Sequence, residues 1–332
     1  MKKLLTVLLA LSLITPILAE DATQTDWSGG DGVTDPATDW ANSFDESTNI
    51  NSTVFPGVLQ LSSMPSVPTG NFAENTFGGV WSIHSEDIDG DGDMDVLGAA
   101  IDEDELAWFE NDGSGDGWTK TTIDYNFDGA NSIYAEDIDG DSDMDVLGAS
   151  SKVNTIAWYE NDGYGGGWVK TIVDSEFDYV LFVHSEDIDS DGDMDIVGAA
   201  MNANTIVWYE NDGNGDGWTK NIVDDNFTGA ACGYLEDIDD DGDIDIVGAA
   251  VGEDDIIWLE NISNGSEWVK HTIDCFYGGF TDVYPKDIDG DGDMDILGAS
   301  YGDNAIVWYE NEGDEKSWFE HTIDKNFRDN HL

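Results

Sequence analysis

Between residues 80 and 124 the chain alternates short apolar runs with clusters of turn residues. VWSIHSED (80–87), MDVLGAA (94–100), LAWFE (106–110) and WTKTTID (118–124) are rich in β-branched, aromatic and small apolar residues. Runs of that length and composition predict four strands. The connections are an aspartate run, the acidic stretch 101–104 and NDGSGDG, where glycine supplies the positive φ of tight turns. A helical period is missing from the unit, which therefore reads as all-β.

The pattern then recurs. DIDGDGDMDVLGAA at 87 returns as DIDGDSDMDVLGAS at 137, DIDSDGDMDIVGAA at 187, DIDDDGDIDIVGAA at 237 and DIDGDGDMDILGAS at 287. AWFENDG at 107 keeps the same 50-residue spacing through AWYENDG, VWYENDG, IWLENIS and VWYENEG. Ten of the thirteen tryptophans fall in two ranks, at 108, 158, 208, 258 and 308 and at 118, 168, 218, 268 and 318, so they are expected to pack between repeats. A four-stranded unit of about 50 residues is the size of a β-propeller blade; a solenoid coil would be shorter. The expected layout is five blades over 78–127, 128–177, 178–227, 228–277 and 278–327, with a tail at 328–332. Residues 20–77 form an irregular segment or cap, and 67–79 align with the end of a unit as a stray outer strand.

Charge narrows the choice of partner. With 11 basic residues against 73 acidic ones the formal net charge is −62, so nucleic acid and anionic membrane would be repelled. Such acidity commonly means disorder, but the tryptophans, isoleucines and valines supply a core. The opening MKKLLTVLLALSLITPILAED reads as a secretory signal peptide over residues 1–19, which predicts a secreted or cell-surface protein. No later segment is apolar enough to span a membrane. Cys232 and Cys275 cannot staple a domain of this size, and their pairing is left open.

The aspartate loop is the candidate chemistry. Carboxylates about 5 Å apart repel by about 0.8 kcal/mol per pair even with water-like screening, so five in one loop call for a cation. The candidate ligands are Asp87, Asp89, Asp91, Asp93 and Asp95 in the first repeat, and Asp137, Asp139, Asp141, Asp143 and Asp145 in the second. The third offers Asp187, Asp189, Asp191, Asp193 and Asp195, the fourth Asp237, Asp239, Asp241, Asp243 and Asp245, and the fifth Asp287, Asp289, Asp291, Asp293 and Asp295. Positions 1, 3, 5 and 9 are expected to offer carboxylates, and position 7 its backbone carbonyl. Glycine at position 6 permits the turn; Ser142 replaces it in the second loop, where strain is expected. An all-oxygen set without cysteine or spaced histidine fits a hard cation, and Ca²⁺ accepts an all-protein cage more readily than Mg²⁺. About one Ca²⁺ per repeat is expected. An EF-hand would need Glu at position 12, where Gly98 and its equivalents stand, and flanking helices.

These residues resemble the FG-GAP (VCBS) repeat of exported bacterial proteins and of the integrin α-subunit head. Asp87, Asp89, Asp91 and Asp95 match its aspartate loop, and Gly98-Ala99-Ala100 matches its Gly-Ala-Pro corner with Ala for Pro. The Phe-Gly element is kept loosely, as Phe77-Gly78 and Phe127-Asp128-Gly129. The resemblance implies a propeller with Ca²⁺ held in the hairpin between the first two strands of each blade. Family propellers commonly carry seven blades, so a five-bladed ring and a piece of a longer protein both stay open.

Catalysis needs unlike groups converging where the repeat is broken. His84 and His184 stand where other repeats have Tyr134, Tyr234 and Tyr284, and read as packing or channel-lining residues; His271 and His321 are equivalents on the fourth strand. The expectation is a non-catalytic binding or adhesion module for an extracellular glycan or protein. The alternative is an accessory or catalytic propeller of a calcium-dependent polysaccharide lyase. Binding would fall to loops held on a rigid scaffold, with the tryptophans beside the NDGSGDG turns as one candidate sugar-stacking surface.

Overall fold

The computed structural model describes residues 77–325, apart from 116, 216, 253–254, 275–276 and 314–316. The signal peptide, the segment 20–76 and the tail 328–332 lie outside the described residues, as does Cys275. The described part is all-β and builds five four-stranded antiparallel sheets in chain order. The first holds β1 (Val80–His84), β2 (Val96–Ala100), β3 (Glu105–Asn111) and β4 (Trp118–Asp124). The second holds β5 (Ala130–Glu136), β6 (Asp145–Ser150), β7 (Thr155–Asn161) and β8 (Trp168–Asp174). The third comprises β9 (Val180–Glu186), β10 (Asp195–Ala200), β11 (Thr205–Asn211) and β12 (Trp218–Asp224). The fourth comprises β13 (Ala230–Glu236), β14 (Asp245–Ala250), β15 (Ile256–Asn261) and β16 (Trp268–Asp274). The fifth comprises β17 (Phe280–Lys286), β18 (Asp295–Ser300), β19 (Ala305–Asn311) and β20 (Trp318–Asp324). Each sheet is a meander, and the first strands pack on one another in series, β1 on β5, β5 on β9, β9 on β13 and β13 on β17. This is the blade order of a β-propeller.

No sheet has a core of its own. The four apolar clusters lie between successive sheets, each combining one sheet's second and third strands with the first three strands of the next. The first interface joins Ile88, Leu97, Leu106 and Trp108 to Phe127, Ile133, Val146 and Tyr159. This is why the repeat is coherent: a lone sheet has nothing to bury its faces against. Trp108, Trp158, Trp208 and Trp258 are all at most 4% exposed, as interblade packing requires. The Trp108 ring closes on Gly165 in the next sheet's turn, leaving no room for a Cβ there, and Trp158 and Trp208 do the same with Gly215 and Gly265.

The Phe-Gly and Gly-Ala landmarks turn out to be two halves of one contact. A Cβ on Gly148 would sit 3.1 Å from the Phe127 ring and 2.6 Å from Leu106 of the preceding sheet. Gly98, Gly198, Gly248 and Gly298 receive Phe77, Phe177, Phe227 and Phe280 in the same way. Over the rings of Phe77, Phe127, Phe177 and Phe227 stands a lysine: Lys170 lies 4.5 Å from the Phe127 centroid and 2.8 Å from Asp124 Oδ2, which also accepts the Tyr159 hydroxyl at 2.9 Å. Lys220 repeats this with Phe177, Asp174 and Tyr209. Cation–π attraction and a half-buried ion pair together seal the interface rim.

The glycine contact makes a direct test. Gly148→Ala should destabilise by about 1–3 kcal/mol, the range for overpacking a filled core. Gly233→Ala, whose added methyl would meet nothing closer than 3.4 Å, should stay within about 0.5 kcal/mol. Denaturant midpoints of the two variants check this; equal losses would contradict the ring-on-glycine packing.

Candidate metal centre

Each aspartate loop joins the first two strands of its sheet, and its hairpin register is closed from both sides. Glu136 pairs with Asp145, Glu186 with Asp195, Glu236 with Asp245 and Lys286 with Asp295. The loop must then turn within the eight residues between, and it does so through two left-handed residues. Gly92, Gly192, Gly242 and Gly292 at position 6 have φ of 95° to 106°, while Ser142 is forced to 79°. Position 4, which the sequence did not single out, is left-handed as well, even where Ser190 and Asp240 occupy it at 60°. Residues other than glycine adopt this region at a cost, which the loop meets at Ser142, Ser190 and Asp240.

The loops converge carboxylates from positions 1, 3 and 9. One oxygen from each of Asp87, Asp89 and Asp95 falls within 4.8 Å of the other two, as it does for Asp137, Asp139 and Asp145, for Asp187, Asp189 and Asp195, and for Asp237, Asp239 and Asp245. The fifth loop gathers Asp287, Asp289 and Asp291 instead. In all five loops position 5 also accepts the position-7 N–H, as Asp91 Oδ1 does from Asp93 at 2.9 Å. The side chains of Asp93, Asp143, Asp193 and Asp293 leave the cluster and lie over Gly113, Gly163, Gly213 and Gly313 in the turn between third and fourth strands. Asp243 faces no glycine there, since Ser263 stands at that position.

Position 9 is the most deeply buried. Asp95, Asp145, Asp195, Asp245 and Asp295 are at most 1% exposed. In the third loop Oδ1 accepts the Asn211 N–H at 2.8 Å and Oδ2 the Ile188 N–H at 3.2 Å. The same two bonds recur in the other four loops. In the fourth loop Trp258 Nε1 adds a third bond, at 2.9 Å to Asp245 Oδ2. Burial still outweighs these donors and pushes Asp145, Asp195 and Asp245 up to about 7. Position 1 accepts the position-6 N–H, as from Gly92 to Asp87 Oδ2 at 3.0 Å. That leaves Oδ1 of Asp87 and of Asp137 buried with no hydrogen-bond partner. A buried carboxylate oxygen without a donor, facing two further carboxylates, is costly unless a cation completes it. The clusters can therefore hold a metal ion, and their all-oxygen chemistry suits a hard one.

The asparagine of the ENDG landmark does more than open a turn. Its backbone N–H closes on the position-9 carboxylate, so it belongs to the loop's support. The persistent Asn in all five copies was the available signal. The histidines are placed as packing residues: His84 and His184 flank Tyr134 with ring centroids 4.5 and 4.2 Å away. Burial drives His84 down to about 4 and His184 to about 3, so both are neutral. His271 pairs with Glu260 at 2.7 Å and stacks on Trp258. Cys232 is a free, buried thiol, raised by burial well above its ordinary pKa.

Fold and loops together define a repeat β-propeller in which every sheet carries one acidic hairpin. The chain belongs to the FG-GAP-like repeat family, which it matches over residues 87–148, 137–198, 187–248 and 237–298, well over half its length. Among solved structures it is similar to an Agrocybe aegerita lectin described for specific recognition of non-reducing terminal N-acetylglucosamine. The identity is 18% and the TM-score 0.52, over 74% of this chain and 66% of the lectin. It is also similar to a chain of a nidogen/laminin complex, with 12% identity and a TM-score of 0.50 over 73% of this chain and 79% of the other. The chain thus spans just under two thirds of the lectin's length, and at these identities the likeness is one of fold. No curated protein matches it significantly in sequence.

Two outcomes follow from the loop geometry. Asp195→Ala should lose one bound cation and destabilise its sheet, whereas Asp193→Ala should keep the cation; metal titration of both variants decides, and equal losses would refute the division between the two positions. The raised position-9 carboxyls fix a pH dependence for the metal-free protein. Between an ordinary carboxyl pKa and about 7 the folded chain binds more protons than the unfolded chain, so its stability falls as pH rises through that window. In a chelator the melting temperature should drop from pH 5 to pH 8, and saturating metal should flatten the slope; a rising profile in chelator would contradict the assignment.

Proposed function

We propose that this chain is an exported calcium-binding propeller that serves as a non-catalytic binding module for an extracellular glycan or protein. Calcium is supported chiefly by one observation: buried, donor-free oxygens on Asp87 and Asp137 within carboxylate clusters built in the same way. Positions 1, 3 and 9 would supply carboxylates. In the fifth loop position 5 would take the place of position 9, and position 7 would offer its backbone carbonyl. The ion would neutralise crowding in five loops of a chain whose formal charge is −62. Its role on this reading is structural, stiffening the hairpins that carry the first strands.

Binding is supported by the architecture and by its neighbours, one described for N-acetylglucosamine recognition and one a chain of a nidogen/laminin complex. The buried rank Trp108, Trp158, Trp208 and Trp258 is committed to the blade interfaces and is not free to stack on sugars. Exposed aromatic surface on the turns between third and fourth strands comes instead from Tyr164, 81% exposed, and from Trp118 at 45%. Among the described residues no helix is long and apolar enough to cross a membrane.

Metal analysis of the dialysed protein should approach one Ca²⁺ per repeat, and chelation should lower the melting temperature reversibly, through linkage to the folded state. A metal-free protein with an unchanged melt would refute the calcium reading. A glycan array probed with the calcium-loaded protein then sorts the partner: a sugar signal lost in chelator supports a lectin-like role, and a blank array assigns the surface to protein.

A further inference from the structure

The metal loops of successive sheets are joined by an unbroken line of hydrogen bonds. Asp95 Oδ2 accepts the Ile88 N–H at 3.1 Å, and the Ile88 carbonyl accepts Asn161 Nδ2 from the next sheet at 2.9 Å. The backbone N–H of Asn161 then reaches Asp145 Oδ1 at 2.8 Å, inside the second loop. Asp145 Oδ2 holds the Ile138 N–H, whose carbonyl accepts Asn211 Nδ2 at 2.9 Å, and Asn211 N–H reaches Asp195 Oδ1 at 2.8 Å. Asp195 Oδ2 holds Ile188, whose carbonyl accepts Asn261 Nδ2 at 3.1 Å, and Asn261 N–H reaches Asp245 Oδ1 at 2.7 Å. Four buried carboxylates, one per loop, thus lie on a single path.

The amide orientations on this path are fixed by the molecule itself. Asn161, Asn211 and Asn261 each accept, on Oδ1, the N–H of Gly165, Gly215 or Gly265 in their own turn, at 3.0, 3.0 and 2.7 Å. That leaves Nδ2 to face carbonyls only: the preceding loop's isoleucine and, in the sheet's own loop, Met144, Met194 or Ile244. The path stops after the fourth loop. Asn311 holds Asp295 Oδ1 at 2.9 Å and donates to Met294 of its own loop at 3.3 Å, but makes no bond to Ile238. The fifth loop also differs in its carboxylates, gathering positions 1, 3 and 5 where the others gather 1, 3 and 9.

We propose that Asn161, Asn211 and Asn261 are positioning residues that couple the cation sites of the first four sheets into one cooperative array and leave the fifth site independent. The inference rests on the calcium reading above and adds to it how the sites communicate. A cation drawn to one loop fixes its position-9 carboxylate and with it the isoleucine peptide. That peptide orders the neighbouring asparagine, whose backbone N–H holds the next loop's carboxylate in place. The second ion then meets a site already ordered, and spared ordering entropy appears as positive coupling. Hydrogen bonds in series also strengthen one another. Through-space electrostatics acts with the opposite sign, because each bound cation weakens the negative field that attracts the next. The sign of the coupling therefore separates the two, and salt screens only the second.

The test is calorimetric Ca²⁺ titration of the full chain at about 0.15 M salt, where the Debye length is about 8 Å. The wild type should fill four sites with a Hill coefficient above about 2, against a limit of about 4 for four coupled sites, and a further site non-cooperatively. Asn211→Ala cuts the path in the middle and should cap the coefficient at about 2. Asn211→Asp keeps the acceptor for Gly215 while losing both Nδ2 donors, so it should show the same loss with the turn intact. Asn311→Ala, in the sheet where no bond crosses to the preceding loop, should leave the coefficient of the four-site phase at its wild-type value. Calcium binding with a wild-type coefficient at or below 1, or Asn211 variants that retain the wild-type value, would overturn the coupling and leave the calcium reading standing. No calcium binding at all would overturn both.

Discussion

A carboxylate with almost no exposure, at the start of the second strand of every sheet, is the constraint on which the rest depends. Its two oxygens hold the N–H of the isoleucine at loop position 2 and of the asparagine that ends the third strand. One side chain thereby closes the aspartate loop, fixes where the third strand stops and sets the following turn. Burying an ionised carboxylate without such donors would be prohibitive. Even with them, Asp145, Asp195 and Asp245 are pushed up to about 7, and a cation is the natural completion.

The interface chemistry has a division of labour that follows from position. Toward the loop end stand the tryptophans, close against the glycines of the next sheet's turn. Further along, phenylalanine lies on the Gly-Ala strand, where only hydrogen in place of Cβ leaves room. At the rim, lysine covers the ring and meets an aspartate from across the interface, which also accepts the hydroxyl of a tyrosine in the lysine's own sheet. Four of the chain's few lysines are spent this way, Lys120 over Phe77 being paired with Glu105 and Lys170, Lys220 and Lys270 with aspartates of the preceding sheet. A chain so acidic places its scarce cations where they join sheets. The fifth sheet departs from this, since Glu320 takes the lysine position and receives the Tyr277 hydroxyl.

Much was legible in the sequence, for physical reasons that can be named. Strand composition and a 50-residue period located all four strands of the first repeat to within a few residues, because local pattern and turn chemistry agree. The tryptophans at 108, 158, 208 and 258 identified themselves as interface residues, since a residue needed at every junction must recur with the junction, while Trp118 of the other rank stands 45% exposed. The aspartate spacing marked the loop as a candidate cation site through local geometry alone: alternate side chains on a tight turn point inward. Strain at Ser142 was visible for the same reason, whereas the left-handed conformation at Ser190 and Asp240 was not, because other copies have glycine there and the requirement is shared between two positions.

What the sequence determined by itself, then, was every feature set within one repeat: strand order, turn positions and the crowding of carboxylates that calls for a cation. What only the tertiary structure decided were contacts between residues far apart in the chain. That position 5 stays out of the gathered carboxylates in the first four loops, and that the position-7 side chain lands on a glycine about twenty residues on, depends on how the third strand returns. Which glycine receives which phenylalanine, and which asparagine reaches back 73 residues to a neighbouring loop, depends on how sheets stack. Identical repeats carry identical local signals, so nothing in their sequence distinguishes a bond within a sheet from one across an interface. Packing alone makes that choice, because apolar faces that cannot be buried within one sheet must be buried against the next.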